Sequence, residues 1–587
     1  MTVRQEQGVL IDELGDLLTA YLEKLGIEYV FGVPGGAIEP LLNALARSAR
    51  RGGPRCVVCR HETGGAFMAD GYYSVTGKMG VCFATTGPGA TNLVTGVASA
   101  HANNVPLLVI TAQTALNTFG RGALQESSCT GTDTLSIFES ITRYNSLISH
   151  PDQFEHKLAA AIITAHRSPP GPVHLSVPVD VMKSLSGRSP QYRNLPELLA
   201  VSAGFDRPVL DRFLLLLGQS RQTVFVLGNE SEVAAKSIVE LATSLDIPLV
   251  VTPSGKGLVD PCHPLFRGAV GFAGHATAVE TLRDPAVDLI VVIGTGLGEW
   301  ASNGWDSEAM LNERMVHISP VENHFLGSPM ARLHLRGDID LVFDEVQRHF
   351  RSTQPPLKLA AEPVTRTVDG YCFALDEPQS CTDDSTPILP QRLMAELPRL
   401  FPANTRYFAD SGNSFAWAVH YLHVHDHSDA TDQHTTRLFR ASLDFASMGW
   451  AIASSVGAAL ALRDSPVVCI TGDGSYLMAG QEISVAIQEQ LPLIYLILND
   501  AGYGMVKHGQ RLTGAEQTGF ELPFIDFAAM ARAMGVEGHV IESIDDLQAL
   551  DINHICNRPG PTLLDVRIDR EAKPPIGLRT RILRGES

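Results

Sequence analysis

The sequence predicts an α/β protein built from three doubly wound, parallel-sheet domains. Three observations predict it. Short, continuous runs of β-branched and other apolar residues alternate with longer helical patterns along the whole chain. The runs are apolar throughout rather than every second residue, the mark of strands covered on both faces. The chain, at 587 residues, is too long for one core, and a prior of ~100–200 residues per domain gives three or four.

The strand candidates fall into three groups. The first holds Val57-Val58, Gly80–Ala84, Pro106–Thr111 and Val173–Val177. The second holds Thr223–Leu227, Leu249–Thr252, Leu289–Ile293 and Val316–Ser319. The third holds Tyr407–Ala409, Val467–Thr471, Ile494–Leu498 and Thr562–Ile568. Each group reads as one open sheet with helices on both faces. Residues 183–205 and roughly 351–390 are irregular and richer in Pro, Ser and charge, and the second stretch reads as a long linker. The domains are therefore expected at 1–185, 200–350 and 391–575, with the linker at 351–390.

Composition narrows the function. A formal net charge of -19 disfavours nucleic acid and anionic membrane as partners. No run of ~18 apolar residues marks a membrane span, and the start of the chain lacks a basic segment followed by an apolar core. Nine scattered cysteines fit free thiols in a reducing cytoplasm, which is the expected location. Cys56 and Cys59 form a CxxC, but both intervening residues are valine and no second CxxC exists. They are expected to be buried structural thiols.

In open parallel sheets ligands bind beyond the carboxyl ends of the strands. The tip after Val467–Thr471 reads "TGDGSYLMAG", with Asp473 between Gly472 and Gly474. The glycines permit a tight turn and close approach to a ligand. A helix is expected from about Gly480-Gln481, and its free amides favour phosphate. The next tip carries Asn499 and Asp500, 27 residues after Asp473, the length of one strand-helix-strand crossover. Hard oxygen ligands on two adjacent tips beside phosphate-binding glycines describe a Mg²⁺-diphosphate site.

"GDGS…LNDAGYG" resembles the thiamine diphosphate (ThDP) motif, and the wider chain resembles the acetolactate synthase-like branch of the ThDP-dependent enzymes. The segments "YVFGVPGGAIEPLLNAL", "CRHETGGAFMADGY", "TTGPGATNLVTGVASA" and "SPPGPVHLSVPVDV" match the family's pyrimidine-binding domain. "GKGLVDPCHPLFRGAVG" matches its central domain, and "FASMGWAIASSVGAAL" with 471–505 its diphosphate-binding domain. The resemblance implies roles for individual residues. Glu62 is the catalytic glutamate, hydrogen-bonded to the cofactor's pyrimidine ring in an apolar site, and Gln125 lines the substrate side. Ala446 offers its carbonyl to the pyrimidine amino group, and Met448 props the cofactor. Ser411, Asn413, Ser414, Gly472, Gly474, Ser475, Gly504 and Met505 contact the cofactor, chiefly its diphosphate. Asp473, Asp500 and the Gly502 carbonyl hold the metal. The resemblance also implies self-association, with Glu62 and Asp473 of one site supplied by different chains. FAD on the central domain is an option the family leaves open, but "GFAGHATA" matches loosely and FAD is not the expected cofactor. The GxGxxG-like "GTGLGE" lacks the third glycine of a nicotinamide site.

Two departures bear on substrate. Gly509 stands where the biosynthetic acetolactate synthases carry a tryptophan, and the segment between Gln125 and Arg143 is longer. The expected activity is decarboxylation of a 2-oxo acid followed by ligation to a carbonyl acceptor, and not plain acetolactate synthesis. A decarboxylase releasing an aldehyde is the alternative, and a catalytically silent regulatory member the remote one.

Overall fold

The computed structural model describes residues 12–185, 189–200, 204–353, 370–424 and 437–585. Among them lie three six-stranded sheets, each parallel throughout. The first contains β1 (Tyr29–Gly32), β2 (Arg55–Val58), β3 (Gly80–Ala84), β4 (Leu107–Gln113), β5 (Tyr144–Leu147) and β6 (Val173–Pro178), in the order β2-β1-β3-β4-β6-β5. The second contains β7 (Thr223–Leu227), β8 (Leu249–Val251), β9 (Phe266–Ala269), β10 (Leu289–Ile293), β11 (Met315–Ser319) and β12 (Leu333–Arg336), in the order β12-β11-β10-β7-β8-β9. The third contains β13 (Arg406–Ala409), β14 (Phe439–Ala441), β15 (Val467–Gly472), β16 (Leu493–Asn499), β17 (Glu537–Ile541) and β18 (Thr562–Arg567), in the order β14-β13-β15-β16-β18-β17. All twelve expected strands are present. Six more join them, and five of those six (β5, β9, β12, β14 and β17) are sheet edges.

Two compact units divide the chain. One comprises Met1–Val201 together with Asp444–Leu462 and Ala479–Leu491, and the other the remaining segments. In the first unit the helix Glu62–Thr76 packs on the helix Trp450–Ala461. Glycine makes the crossing close: a Cβ on Gly71 would lie 1.9 Å from the Ser454 carbonyl oxygen, and one on Gly457 1.9 Å from that of Met68. The Trp450 indole N–H donates to Asp70 Oδ2 at 2.7 Å across the same contact. In the second unit, one apolar cluster runs from Leu210 and Phe225 through Phe272 to Trp417 and Leu496.

The helix expected from Gly480 begins earlier. It spans Asp473–Ala479, and a 3₁₀ turn, Gly480–Glu482, links it to Ile483–Gln488. Asp473 is thus the first residue of a helix rather than part of a free loop. Of the expected linker, residues 351–353 complete the helix Ile339–Thr353, and residues 354–369 lie outside the described residues. All nine cysteines are free, and Cys59 is buried with its Sγ 3.6 Å from Met68 Sδ. Among the described residues no helix is long and apolar enough to cross a membrane.

Candidate functional site

In the second unit, β15 and β16 run side by side with Gly472 opposite Leu498, so Asp473 and Asp500 leave neighbouring tips. Asp473 is 3% exposed. Its Oδ1 accepts from the Gly474 N–H at 2.6 Å and its Oδ2 from the Gly502 N–H at 3.1 Å. Burial outweighs these donors and pushes the carboxyl up to about 6. Asp500 is pushed up to about 7, first by burial and then by the charge of Asp473, with Lys507 and Arg570 offsetting part of the shift. Two carboxylates side by side, both with raised proton affinity and one raised in part by the other's charge, could hold a hard cation. Among the described residues no third His, Cys, Asp or Glu joins them, so the remaining ligands must be backbone carbonyls, water or the bound anion.

Asn499, beside Asp500, faces the protein. Its amide donates to the Ile525 carbonyl at 2.9 Å and to Asp565 Oδ1 at 2.8 Å. The fully buried Asp565 also accepts from the Phe527 N–H, so it pins the end of β16. The turn 410–414 is tied in by Thr471, whose hydroxyl donates to Asp410 Oδ2 at 2.9 Å. The Ser414 hydroxyl donates to the Asp410 carbonyl, while Ser411 is half-buried and donates its N–H to Asp410 Oδ1. Asn413 opens the helix Asn413–Tyr421 after Gly412, whose φ of 104° lies in the glycine-favouring region. A Cβ on Gly504 would lie 2.5 Å from Asn413 Nδ2 and 3.0 Å from Asp500 Oδ2, so these three residues crowd together. The buried Asn413 Oδ1 has no hydrogen-bond partner among the described residues.

These residues fit a metal-bound diphosphate. Around Gly472 an added Cβ would meet nothing within 4 Å, leaving room for a ligand against the backbone. Gly474 is required for a different reason, since a Cβ there would lie 2.5 Å from the Tyr503 ring. Ser475 is buried, and Met505 packs at the edge of the apolar cluster. The Gly502 carbonyl accepts from the Gly504 N–H at 3.1 Å, which leaves its second lone pair for a cation.

In the first unit Glu62 is the first residue of its helix and is 7% exposed. Its Oε2 accepts from the Asn92 amide at 2.9 Å. A Cβ on Gly89 would come within 3.2 Å of Oε1. Gln125 flanks the turn before the same helix, Pro88–Asn92: a Cβ on Gly87 would lie 2.8 Å from Gln125 Cβ, and Thr86 Oγ1 donates to the Gln125 carbonyl. Gln125 itself is exposed and has a φ of 59°. Ala446 has a φ of 52°, and Met448 is half-buried just before the helix Trp450–Ala461.

Sequence reasoning missed Glu482. It is 1% exposed and accepts from the backbone N–H groups of Arg60 (3.2 Å) and His61 (2.9 Å), immediately before the Glu62 helix. Burial is the main cause that pushes it up to about 7, and the neighbouring Glu62 charge adds to the shift. Gly64 makes the contact feasible, since a Cβ there would lie 2.5 Å from Glu482 Oε1. No local signal marks Glu482 as the partner of residues 60–64, because more than 400 positions separate them. Asn92 was visible only as part of a longer matching segment.

The comparisons agree with this geometry. The chain matches three family descriptions in order: the thiamine pyrophosphate enzyme N-terminal TPP binding domain over residues 12–135, the central domain over 210–346 and the C-terminal TPP binding domain over 410–566. A Mycobacterium tuberculosis protein named as an acetolactate synthase large subunit is 31% identical over 96% of this chain and 99% of its own length. The acetolactate synthase large subunit of Parasynechococcus marenigrum is 30% identical over 94% of this chain and 86% of its own. The Escherichia coli acetolactate synthase isozyme 1 large subunit is 29% identical over 97% of both chains. With its three parallel sheets, its acidic strand tips and matches of this extent, the chain belongs to the thiamine pyrophosphate-dependent enzymes, in their acetolactate synthase-like branch.

Proposed function

We propose that the protein decarboxylates a 2-oxo acid and joins the remaining fragment to a carbonyl acceptor, with ThDP and Mg²⁺ as cofactors. The observation that carries this is the pair of carboxylates at neighbouring strand tips, the buried Asp473 and the half-buried Asp500, both with raised proton affinity, that of Asp500 partly through the charge of Asp473. Asp473, Asp500 and the Gly502 carbonyl would hold the cation. Asn413, Ser411 and Ser414, with Gly472, Gly474, Ser475, Gly504 and Met505, would form the wall of the diphosphate site. When bound, the cofactor supplies the carbon nucleophile and electron sink that decarboxylation requires. Glu62, oriented by Asn92, would hold and exchange a proton at Oε1 toward the pyrimidine ring. Ala446 would accept the ring's amino group, Met448 would prop the ring, and Gln125 would face the substrate. Pyrimidine-binding, central and diphosphate-binding domains at 1–185, 200–350 and 391–575 belong to the same proposal, as do self-association and a cytoplasmic location. FAD on the central domain is not the expected cofactor, and the proposal does not require it.

An acceptor other than, or larger than, pyruvate is favoured by Gly509, in the helix Gly504–Thr513, where an added Cβ would meet nothing within 4 Å. Incubation with pyruvate and a panel of 2-oxo acids, with ThDP and Mg²⁺, followed by mass spectrometry of the products, tests the proposal. Carbon dioxide with an acyloin or acetohydroxy acid supports it, carbon dioxide with a free aldehyde identifies a simple decarboxylase, and no turnover identifies a silent homologue. Glu62→Gln is expected to bind ThDP and to lose turnover; unchanged turnover would remove Glu62 from its role.

A further inference from the structure

Away from both centres, the second unit holds a cavity of about 300 Å³. Val251, Leu258, Phe266, Leu422 and Phe439 line it, and so does Lys256. Volumes near 300 Å³ are the lower end of ligand-binding pockets and correspond to about ten water volumes. Lys256 follows β8 and is 7% exposed. Its Nζ donates to the Val419 carbonyl at 2.9 Å and lies 3.4 Å from His423 Nδ1 and 5.8 Å from the Phe439 ring centroid. No carboxylate within ion-pair distance meets it among the described residues.

The surrounding histidines do not supply a counter-charge, and their hydrogen bonds fix their tautomers. Nε2 of His275 and Nε2 of His423 both lie within hydrogen-bond distance of the His420 carbonyl, which can only accept, so both nitrogens carry protons. His275 Nδ1 accepts from the Ala269 N–H, and His423 Nδ1 is left to accept from Lys256. His420 Nδ1 faces the carbonyls of Ala273 and Gly274, while its Nε2 accepts from the Asp376 N–H. Burial lowers the proton affinity of all three rings, so they stay neutral. The one acid lining the cavity, Asp260, is exposed and accepts from the Cys262 N–H.

A protonated lysine has three N–H donors, and these contacts engage two; burial pushes the Lys256 amine down to about 7, so its third proton is only weakly held. A buried amine that meets no counter-ion among the described residues, beside an apolar cavity, is a receptor for an anion with an apolar body, because a carboxylate there would hold the third proton and pair the charge. We propose that this cavity binds a small monocarboxylate, its carboxylate on Lys256 Nζ and its aliphatic tail against Leu258, Phe266 and Phe439. The site is independent of the catalytic assignment, since none of its residues belongs to the ThDP or metal site.

The test is isothermal titration of the full chain with 4-methylpentanoate and with its neutral isostere 4-methylpentanamide. The acid is expected to bind at least about tenfold more tightly than the amide, the usual worth of a charge-assisted hydrogen bond. Lys256→Met keeps an apolar side chain of similar length and is expected to erase that difference. Equal binding of acid and amide to the wild type overturns the proposal without any variant. So does acid binding that survives in a folded Lys256→Met protein, or the absence of saturable acid binding at millimolar concentrations.

Discussion

The helix Glu62–Thr76 and the helix Asp473–Ala479 each begin on a buried acid, and each receives a second acid from elsewhere in the chain. The outcomes differ. At the first helix, Glu482 takes the N–H groups of Arg60 and His61 and Glu62 takes the Asn92 amide, so protein donors meet both carboxyl groups. At the second, Asp473 takes two backbone N–H groups, while Asp500 meets the like charge of Asp473, offset only in part by Lys507 and Arg570. Protein donors meet the first pair, whereas the second keeps a like-charge repulsion that a cation could balance. Two acids at a helix start therefore do not define a function; the supply of donors does.

The largest expected effect is at the unbalanced pair. Asp473→Ala removes a proposed metal ligand and the acceptor for Gly502, and we expect Mg²⁺-dependent ThDP binding to fall by at least ~100-fold, more than the loss of a residue that only orients a ligand. Fluorescence titration of ThDP at fixed Mg²⁺ measures it, and a near-normal affinity would place the metal elsewhere.

At the balanced pair the cost falls on stability. Glu482→Ala strands two N–H groups beside the Glu62 helix and should destabilise the fold by about 1–3 kcal/mol for each one left unsatisfied. Glu482→Gln keeps a carbonyl acceptor and should lose less. Urea unfolding of both variants decides, and equal losses would mean that packing rather than hydrogen bonding holds Glu482.

Because Glu482 also lies at about 7, it is the response to a divalent cation, and not the raised values alone, that separates the pairs. Asp473 and Asp500 have folded values of about 6 and about 7, above the ordinary aspartate range. Their contribution to the metal-free fold is full at low pH and is lost as pH rises through 6 and 7, where both must ionise while buried. A divalent cation reverses this preference, because it binds the ionised pair. Mg²⁺ should therefore raise the melting temperature clearly at pH 8 and little at pH 5.5. Equal stabilisation at both values would mean that the pair is not the binding site.

The smallest effect is expected from Asp500→Asn. It removes the repulsion but leaves an oxygen ligand, so ThDP should still bind, with a shallower dependence on Mg²⁺. Identical Mg²⁺ dependence in wild type and variant would show that Asp500 contributes no charge to the site.

Interior strands other than β1 were legible in the sequence because burial on both faces demands continuous apolar runs, as in β16, where every residue is buried. Of the edge strands only β2 was. β5 is only half-buried along its length and β17 nearly so, and such strands carry mixed residues that resemble loops. The acidic tips were legible through their crossover spacing. The extent of the helix after β15 was not, because glycine-rich sequence reads as a loop until a capped, packed environment holds it.

By itself the sequence determined the fold class, the order of the strands along the chain and the acids at the tips of β15 and β16, since these depend on local periodicity and short spacings. Only the tertiary structure decided which buried charges find partners. Glu482 meets Arg60 and His61, Asp565 pins Asn499, and Lys256 meets a carbonyl and a neutral histidine but, among the described residues, no acid. Counter-charges come from residues tens to hundreds of positions away, and no periodicity encodes whether one arrives.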